Sequence, residues 1–138
     1  MENKYENLIK KYQHLFTNGN LEPVTMFGIE CADGWYFLIS ELLNHIDQYF
    51  HHKYKGVPEG FQITQIKEKF GDLRIYADGA DNAVWELIRF TENLSHKTCE
   101  YCGSNQNILK SSGWIVTACK QCTEKNDFLK TKQWKLVA

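Results

Sequence analysis

Two Cys-x-x-Cys pairs near the end of the chain constrain its fold more than any other feature. The first pair is Cys99 and Cys102, the second is Cys119 and Cys122, and sixteen residues separate them. This is the spacing of a four-thiolate zinc site, in which each pair bends into a tight turn that points both sulfurs at one ion. Gly103 follows the first pair and allows the backbone to fold closely around the sulfur. The sequence therefore predicts a structural zinc site, with two disulfides or free thiols as the alternative.

The segment between the two pairs has the composition of a short β-hairpin. Residues 108–110 and 114–117 are mostly apolar or β-branched, and a Ser-Ser-Gly sequence at 111–113 separates them. We predict one strand in each stretch, which is the arrangement of a zinc ribbon. Because four thiolates leave zinc no open coordination position, the metal is expected to support folding rather than catalysis.

Composition and charge place the chain among folded proteins of one domain with, at most, a small appendage. Its 138 residues are 43% hydrophobic and 14% aromatic, which is enough for a core. The net charge is −1, but the part from residue 97 onward is basic and the first 96 residues are acidic. This asymmetry is a weak indication that the ribbon has an anionic partner, and a solvated lysine face is the alternative.

Cysteine usage and hydropathy indicate the compartment. Four of the five cysteines are assigned to a metal, which favours a reducing environment. No apolar run reaches transmembrane length, and the first residues have no signal-peptide pattern. We therefore expect no membrane contact and a cytoplasmic location.

Apolar residues at helical spacing predict two helices in the first part of the chain. The first helix covers residues 5–16 and is expected to end at a Thr-Asn-Gly cap at 17–19. The second begins with Asp33 as its N-cap and ends near the positive charges at 51–53.

A β-hairpin and a third helix are predicted to follow. The strands lie within 61–69 and 73–76, with a turn near Gly71. The third helix is capped by Asp81 or Asn82 and leads directly to the first cysteine pair. Its predicted buried stripe comprises Val84, Leu87, Ile88 and Leu94.

These elements together predict an α+β fold of helices packed on a β-hairpin, with a four-cysteine zinc ribbon at the C-terminal end. The expected division is a body at residues 1–97 and a ribbon with its tail at residues 98–138. The tail is expected to form a short helix or strand that packs on the body.

The first candidate ligand site lies at the start of the second helix. Cys31 precedes a helix N-terminus, where the dipole lowers the pKa of a thiol. The sequence supplies no base or oxyanion site beside it, however, and a small buried thiol is the alternative. Glu30 and Asp33 are candidate paired carboxylates, although capping already explains Asp33, and Trp35 is a candidate stacking ring.

The second candidate site lies in the hairpin. Period-2 alternation places Lys67 and Lys69 on one face of a strand, with Phe70 at its end and Arg74 on the partner strand. Two ammonium groups, a guanidinium and an aromatic ring could hold a phosphate and stack a base. The alternative is an exposed hairpin edge that is protected by its charges.

Four blocks of sequence follow one another in a specific order. They are Gly-Ile-Glu-Cys-x-Asp-Gly-Trp-Tyr at 28–36, Gln-Ile-Lys-Glu-Lys-Phe-Gly-x-Leu-Arg-x-Tyr at 65–76, Cys-Glu-x-Cys-Gly at 99–103 and Gly-Trp-x-x-Thr-x-Cys at 113–119. Over nearly its whole length the chain resembles a family of small uncharacterised proteins common in bacteriophages and prophages. Relatives can carry a histidine in place of Cys122, which implies a metal ligand there. The resemblance implies a phage accessory role in the host cell cytoplasm and no assigned activity.

These observations predict a zinc-binding accessory protein that acts by non-enzymatic binding. Its expected partner is a host protein, such as a component of host defence, or a small nucleotide-like ligand. A nucleic-acid-binding ribbon is the first alternative, and a small enzyme acting on a phosphate-containing substrate is the second. The predicted ligand-binding residues are Glu30, Asp33, Trp35, Lys67, Lys69, Phe70, Arg74 and Tyr76.

Overall fold

The computed structural model describes residues 3–16 and 28–137. The described helices are α1 (Lys4–Lys11), α2 (Gln13–Phe16), α3 (Tyr36–Tyr54), α4 (Asn82–Ser95), α5 (Lys120–Lys125) and α6 (Asp127–Lys130). The described strands are β1 (Ile29–Glu30), β2 (Gln62–Lys69), β3 (Asp72–Asp78), β4 (Ile108–Ser111), β5 (Thr117–Cys119) and β6 (Trp134–Leu136). This mixture of helices and two sheets confirms the predicted α+β class.

The predicted first helix is divided into α1 and α2 at Tyr12, which adopts a turn. The Asn3 side chain accepts a hydrogen bond from the Tyr5 amide and caps α1. The cap predicted at 17–19 lies outside the described residues. Both helices bury the apolar face that their spacing predicts.

The predicted N-cap at Asp33 is wrong. Residues Asp33–Trp35 form a 3₁₀ turn before α3, and neither element has a side-chain cap. The Asp33 carboxylate is exposed and lies 3.9 Å from the Lys4 ammonium. The free amides at this end are instead satisfied from a distant part of the chain: the Glu100 carbonyl accepts from Gly34 at 2.7 Å.

The predicted β-hairpin is confirmed. Strands β2 and β3 pair antiparallel, and Phe70 and Gly71 form the two-residue turn with φ of +53° and +82°. Two positive φ angles are the signature of a type I′ turn, whose twist matches that of the strands. Strand β1 adds a third, parallel member beside β2, with Ile29 opposite Ile66.

Helix α4 lies along the open edge of β3. The Leu73 amide donates to Ser95 Oγ at 3.0 Å, and the Ile75 amide donates to the Glu92 carboxylate at 2.9 Å. These side chains satisfy backbone groups that an edge strand would otherwise leave unpaired.

The start of α4 agrees with prediction, and one residue of its predicted stripe does not. The Asp81 carboxylate accepts from the Val84 amide at 3.0 Å and caps the helix. Leu94 is 38% exposed, so its prediction as a buried residue is wrong. Thr91 and Ser95 are buried instead. The Thr91 hydroxyl donates to the Leu87 carbonyl of its own helix, and the Ser95 hydroxyl accepts from the Leu73 amide at the edge of β3.

A second sheet, in the order β5-β4-β6, forms the ribbon. Its second strand was predicted at 114–117 but lies at Thr117–Cys119. The Ser111 hydroxyl donates to the Trp114 carbonyl and accepts from the Val116 amide. This closes residues 112–116 into a loop and leaves the Trp114 side chain 73% exposed.

The tail extends the ribbon. Strand β6 pairs with β4, and Leu129 and Trp134 belong to the apolar cluster around Cys99 and Cys119. The strand that was expected to pack on the body thus has its hydrogen-bonded partner within the ribbon. A separate and larger cluster from α1–α4 and the first sheet forms the body core.

Among the described residues, no helix combines the length and the apolar character needed to cross a membrane.

Candidate functional site

The four cysteines of the two pairs converge on one point. Their sulfur atoms all lie within 4.8 Å of one another, and Cys102 Sγ is 3.6 Å from Cys119 Sγ. Sulfurs around a tetrahedral zinc at about 2.3 Å stand about 3.8 Å apart, whereas a disulfide requires about 2.05 Å. All four thiols are free. The geometry therefore fits a four-coordinate metal ion, and all-thiolate coordination favours zinc.

Local backbone structure points the sulfurs inward. After Cys99 the chain turns back, with the Gly103 amide donating to the Cys99 carbonyl at 3.0 Å, and Gly103 takes a left-handed φ of +82°. Strand β5 ends at Cys119, whose sulfur accepts from the Cys122 amide at 3.4 Å as α5 begins. Cys99 and Cys119 are buried and Cys102 is exposed.

The first cysteine pair is packed directly on the start of α3. The Ala32 amide donates to the Glu100 carboxylate at 3.0 Å, and the Trp35 indole donates to the Thr98 carbonyl at 2.9 Å. A Cβ added to Gly34 would lie 2.3 Å from the Cys99 carbonyl oxygen. The segment at 28–36 is thus a docking surface for the ribbon.

The hairpin turn is the second junction between body and ribbon. Thr117 Oγ1 donates to the Gly71 carbonyl at 2.7 Å, and Ile115 occupies the space where a Gly71 side chain would lie. The Lys110 ammonium donates to the Asp72 carboxylate at 2.9 Å. His96 Nε2 lies 3.3 Å from the same carboxylate.

These contacts change what the first candidate site can do. Trp35 is fully buried, so neither face of its ring is open to a ligand. Burial raises the pKa of the Cys31 thiol to about 12 against the opposing hydrogen bond with Tyr5, and the thiol is therefore protonated at neutral pH. Glu30 and Asp33 are exposed, and their side chains are not brought together with Trp35.

Strand register aligns three of the predicted ligand residues across the first sheet. Glu30 lies opposite Lys67, and Lys67 lies opposite Arg74, so the three side chains share one face. Lys69 lies two positions after Lys67 on β2, and Tyr76 lies two positions after Arg74 on β3, so both side chains project from the same face. The opposite face carries the isoleucines that enter the core.

Four of the predicted residues line an open groove of about 600 Å³ along β3. They are Lys69, Phe70, Arg74 and Tyr76. Phe70 is 64% exposed, and the Lys69 ammonium lies 5.7 Å from the centre of its ring. Glu30, Asp33, Trp35 and Lys67 are outside the lining of this groove.

Arg74 is incompletely paired in the groove. Its Nη2 lies 3.6 Å from the Asp72 carboxylate, and that carboxylate is shared with Lys110 and His96. Its Nε is buried and has no hydrogen-bond partner among the described residues, although buried donors in folded proteins nearly always have one. The Arg74 side chain as a whole is 42% exposed, so a ligand in the groove would meet the exposed part of its guanidinium and not Nε.

Sequence reasoning missed the other six residues that line the groove: Thr64, Ile75, Ala77, Asp78, Trp85 and Glu92. Trp85 lies in the first turn of α4 and is 38% exposed. The sequence did carry a signal for Trp85, because this residue lies on the polar side of the helical pattern of α4. Asp78 lies two positions after Tyr76 on β3, so period-2 alternation was its signal. Glu92 enters only because α4 lies beside β3, which no local pattern shows.

Searches against protein-family models, curated proteins and solved structures give no significant match to this chain.

Proposed function

We propose that this zinc-ribbon protein is a phage or prophage accessory protein that acts by non-enzymatic binding through the groove along β3. The partner is an anionic one, either a nucleotide-like ligand or an acidic segment of a host protein, such as a defence component. The accessory role and the cytoplasmic location in a host cell rest on the resemblance of the four sequence blocks. The binding role rests on the groove.

The presence of Lys69 and Arg74 in the lining of one groove, with Phe70 beside them, carries the proposal. A guanidinium donates in a planar fork that suits phosphate and carboxylate oxygens. An anion between Arg74 and Lys69 would accept from both cations and neutralise their positive charge.

The turn that carries Phe70 adds a second line of support. Type I′ turns favour Asn, Asp and Gly, because both central residues have positive φ. A phenylalanine at φ +53° costs about 1–2 kcal/mol relative to such residues, and its ring remains exposed. A locally unfavourable residue at an exposed position is typical of a functional surface.

The test uses the two arginines of the chain, Arg74 and Arg89, as reporter and control. Each has an Nε–H signal in a ¹⁵N NMR spectrum, and replacement by lysine assigns it. Inorganic tripolyphosphate is titrated into the zinc-loaded protein. We expect the Arg74 signal to shift and saturate while the Arg89 signal, whose guanidinium is exposed and pairs with Glu86, stays in place.

Two results would overturn the proposal. Equal shifts of both arginine signals would show nonspecific ion binding, and no shift of either would show that the groove takes no anion. A ³¹P spectrum of the same sample checks the absence of catalysis, because hydrolysis would release orthophosphate.

A further inference from the structure

The charges of the groove are separated along its length. Lys69 and Arg74 lie at the end beside the hairpin turn, whereas Asp78 lies at the other end. Arg74 and Asp78 are four residues apart on β3, or about 13 Å. Glu92 lies between them on the α4 side, with one carboxylate oxygen bonded to the Ile75 amide.

The aromatic side chains are unevenly placed as well. Phe70 stands at the basic end, and Tyr76 and Trp85 line the part that leads to Asp78. Tyr76 is 39% exposed and Trp85 is 38% exposed, so each ring keeps part of its surface open. An exposed aromatic ring can stack on the planar ring of a ligand, whichever nucleobase that ring is.

This separation restricts the ligand. A chain of phosphates laid along the whole groove would place negative charge beside Asp78 and Glu92, which repel it. A ligand with its charge at one end and a flat ring at the other avoids that repulsion. Carboxylates only accept hydrogen bonds, so the ring at the acidic end must offer N–H donors.

We infer that the groove binds a nucleoside polyphosphate in one orientation, with its phosphates at Lys69 and Arg74 and its base against Tyr76 and Trp85. The base donates N–H groups to Asp78, which favours guanine because its adjacent N1 and N2 donors match a carboxylate. This inference rests on the proposed binding role of the groove and names its ligand class. A single-stranded nucleic acid, with a phosphate at every step, fits the acidic end poorly.

The experiment compares four probes by calorimetry: GTP, UTP, guanosine and inorganic tripolyphosphate. We expect GTP to bind more tightly than UTP and more tightly than either of its parts, guanosine or tripolyphosphate. Replacing Trp85 with alanine should weaken GTP binding about tenfold and leave tripolyphosphate binding unchanged. Trp85→Phe, which retains a stacking face, should recover most of the loss.

Trp114→Ala is the matched control, because Trp114 is an exposed tryptophan of the ribbon loop outside the groove. Asp78→Asn should reduce the preference for GTP over UTP without weakening the binding of tripolyphosphate.

The outcomes separate this inference from the proposed function. If tripolyphosphate shifts the Arg74 signal but GTP binds no more tightly than tripolyphosphate, the base contributes nothing. The inference then fails while the proposed function stands. Equal effects of the Trp85 and Trp114 replacements would also refute it. Tighter binding of an oligonucleotide than of GTP would assign the groove to nucleic acid instead. If no probe shifts the Arg74 signal, both proposals fail.

Discussion

Replacing Gly34 with alanine tests whether the ribbon and the body form one packed unit. Gly34 lies in the 3₁₀ turn before α3 and does not have a positive φ. By backbone effects alone, alanine would stabilise the protein by about 0.4–1 kcal/mol through the unfolded state. The structure predicts the opposite sign, because the new Cβ would lie 2.3 Å from the Cys99 carbonyl oxygen and 2.5 Å from Glu100 backbone atoms.

The size of the effect follows from what must move. Overpacking of this kind costs about 1–3 kcal/mol, and displacement of the Glu100 carbonyl removes the hydrogen bond from the Gly34 amide, worth about 0.5–1.5 kcal/mol. After subtracting the stabilisation that alanine gives through the unfolded state, we expect Gly34→Ala to lower the free energy of unfolding by about 1–4 kcal/mol. The clash falls on the backbone of a metal ligand, so release of zinc to a chelator should also become faster.

Urea unfolding of the zinc-loaded protein, followed by circular dichroism, measures the change in stability. Gly113→Ala is the control, since Gly113 is also in the ribbon but has φ +74°, and no atom of the described residues lies within 4 Å of an added Cβ. Its replacement should cost only the backbone strain of about 1–2 kcal/mol and leave zinc release unchanged. A Gly34→Ala protein as stable as wild type, with normal zinc release, would show that this junction is not tightly packed.

Four further outcomes are expected. Cys102→Ser should lower zinc content below one ion per chain by metal analysis and unfold at least the ribbon, since structural zinc contributes about 10–16 kcal/mol in finger peptides. Phe70→Asn should raise the unfolding free energy by about 1 kcal/mol, because asparagine adopts a positive φ more readily than phenylalanine. It should also weaken ligand binding, because it removes an aromatic side chain from the groove. In Asp81, burial raises the pKa, but hydrogen bonds from two tyrosines and an amide outweigh it and lower the pKa. Its stabilising contribution is therefore present above the ordinary aspartate pKa and lost as pH falls through the lowered value, so in urea unfolding the deficit of Asp81→Asn should shrink below about pH 4. Cys31, with its pKa raised by burial to about 12, should resist iodoacetamide at pH 8 in the folded protein and react once urea unfolds it, as peptide mass mapping would show.

The features that local rules govern could be predicted from the sequence. The cysteine spacing, the turn at Gly71 and the cap at Asp81 each depend on residues within a few positions of one another. Hairpin register follows from the alternation of apolar and polar residues. These signals were sufficient for the α+β class and for the thiolate cluster.

The errors share a different physical origin. Asp33 is a residue type typical of an N-cap, but this turn is held by Glu100, which accepts from the Ala32 amide 68 positions away and from the Gly34 amide, while the Asp33 carboxylate stays exposed. Strand β1 has only two residues and no pattern of its own. Leu94 has apolar neighbours, Phe37 and Phe90, but the depression between α3 and α4 that these side chains line is open to solvent. In each case tertiary contacts override the local preference.

The candidate ligand site was predictable only in part, for the same reason. Charge and aromatic content in residues 67–76 drew attention to the hairpin, and four of those side chains do line one groove. Trp35 is also aromatic and lies beside glycine, yet it is buried under the ribbon. Sequence composition does not distinguish an aromatic residue that contacts a ligand from one that contacts another part of the chain.

The hydrogen bond from Trp35 to Thr98 imposes an order of events during protein synthesis. The two residues are 63 positions apart, and a ribosome adding 5–20 residues per second needs about 3–13 s to cover that interval. Throughout this time the indole and the amides of Ala32 and Gly34 await partners from a segment that has not yet been made. The four cysteines are therefore made after the body elements that pack on them, and chains without the metal that the thiolate cluster fits would also have an incomplete body. Such chains would expose a buried surface to proteases, so metal supply would control how long each molecule survives.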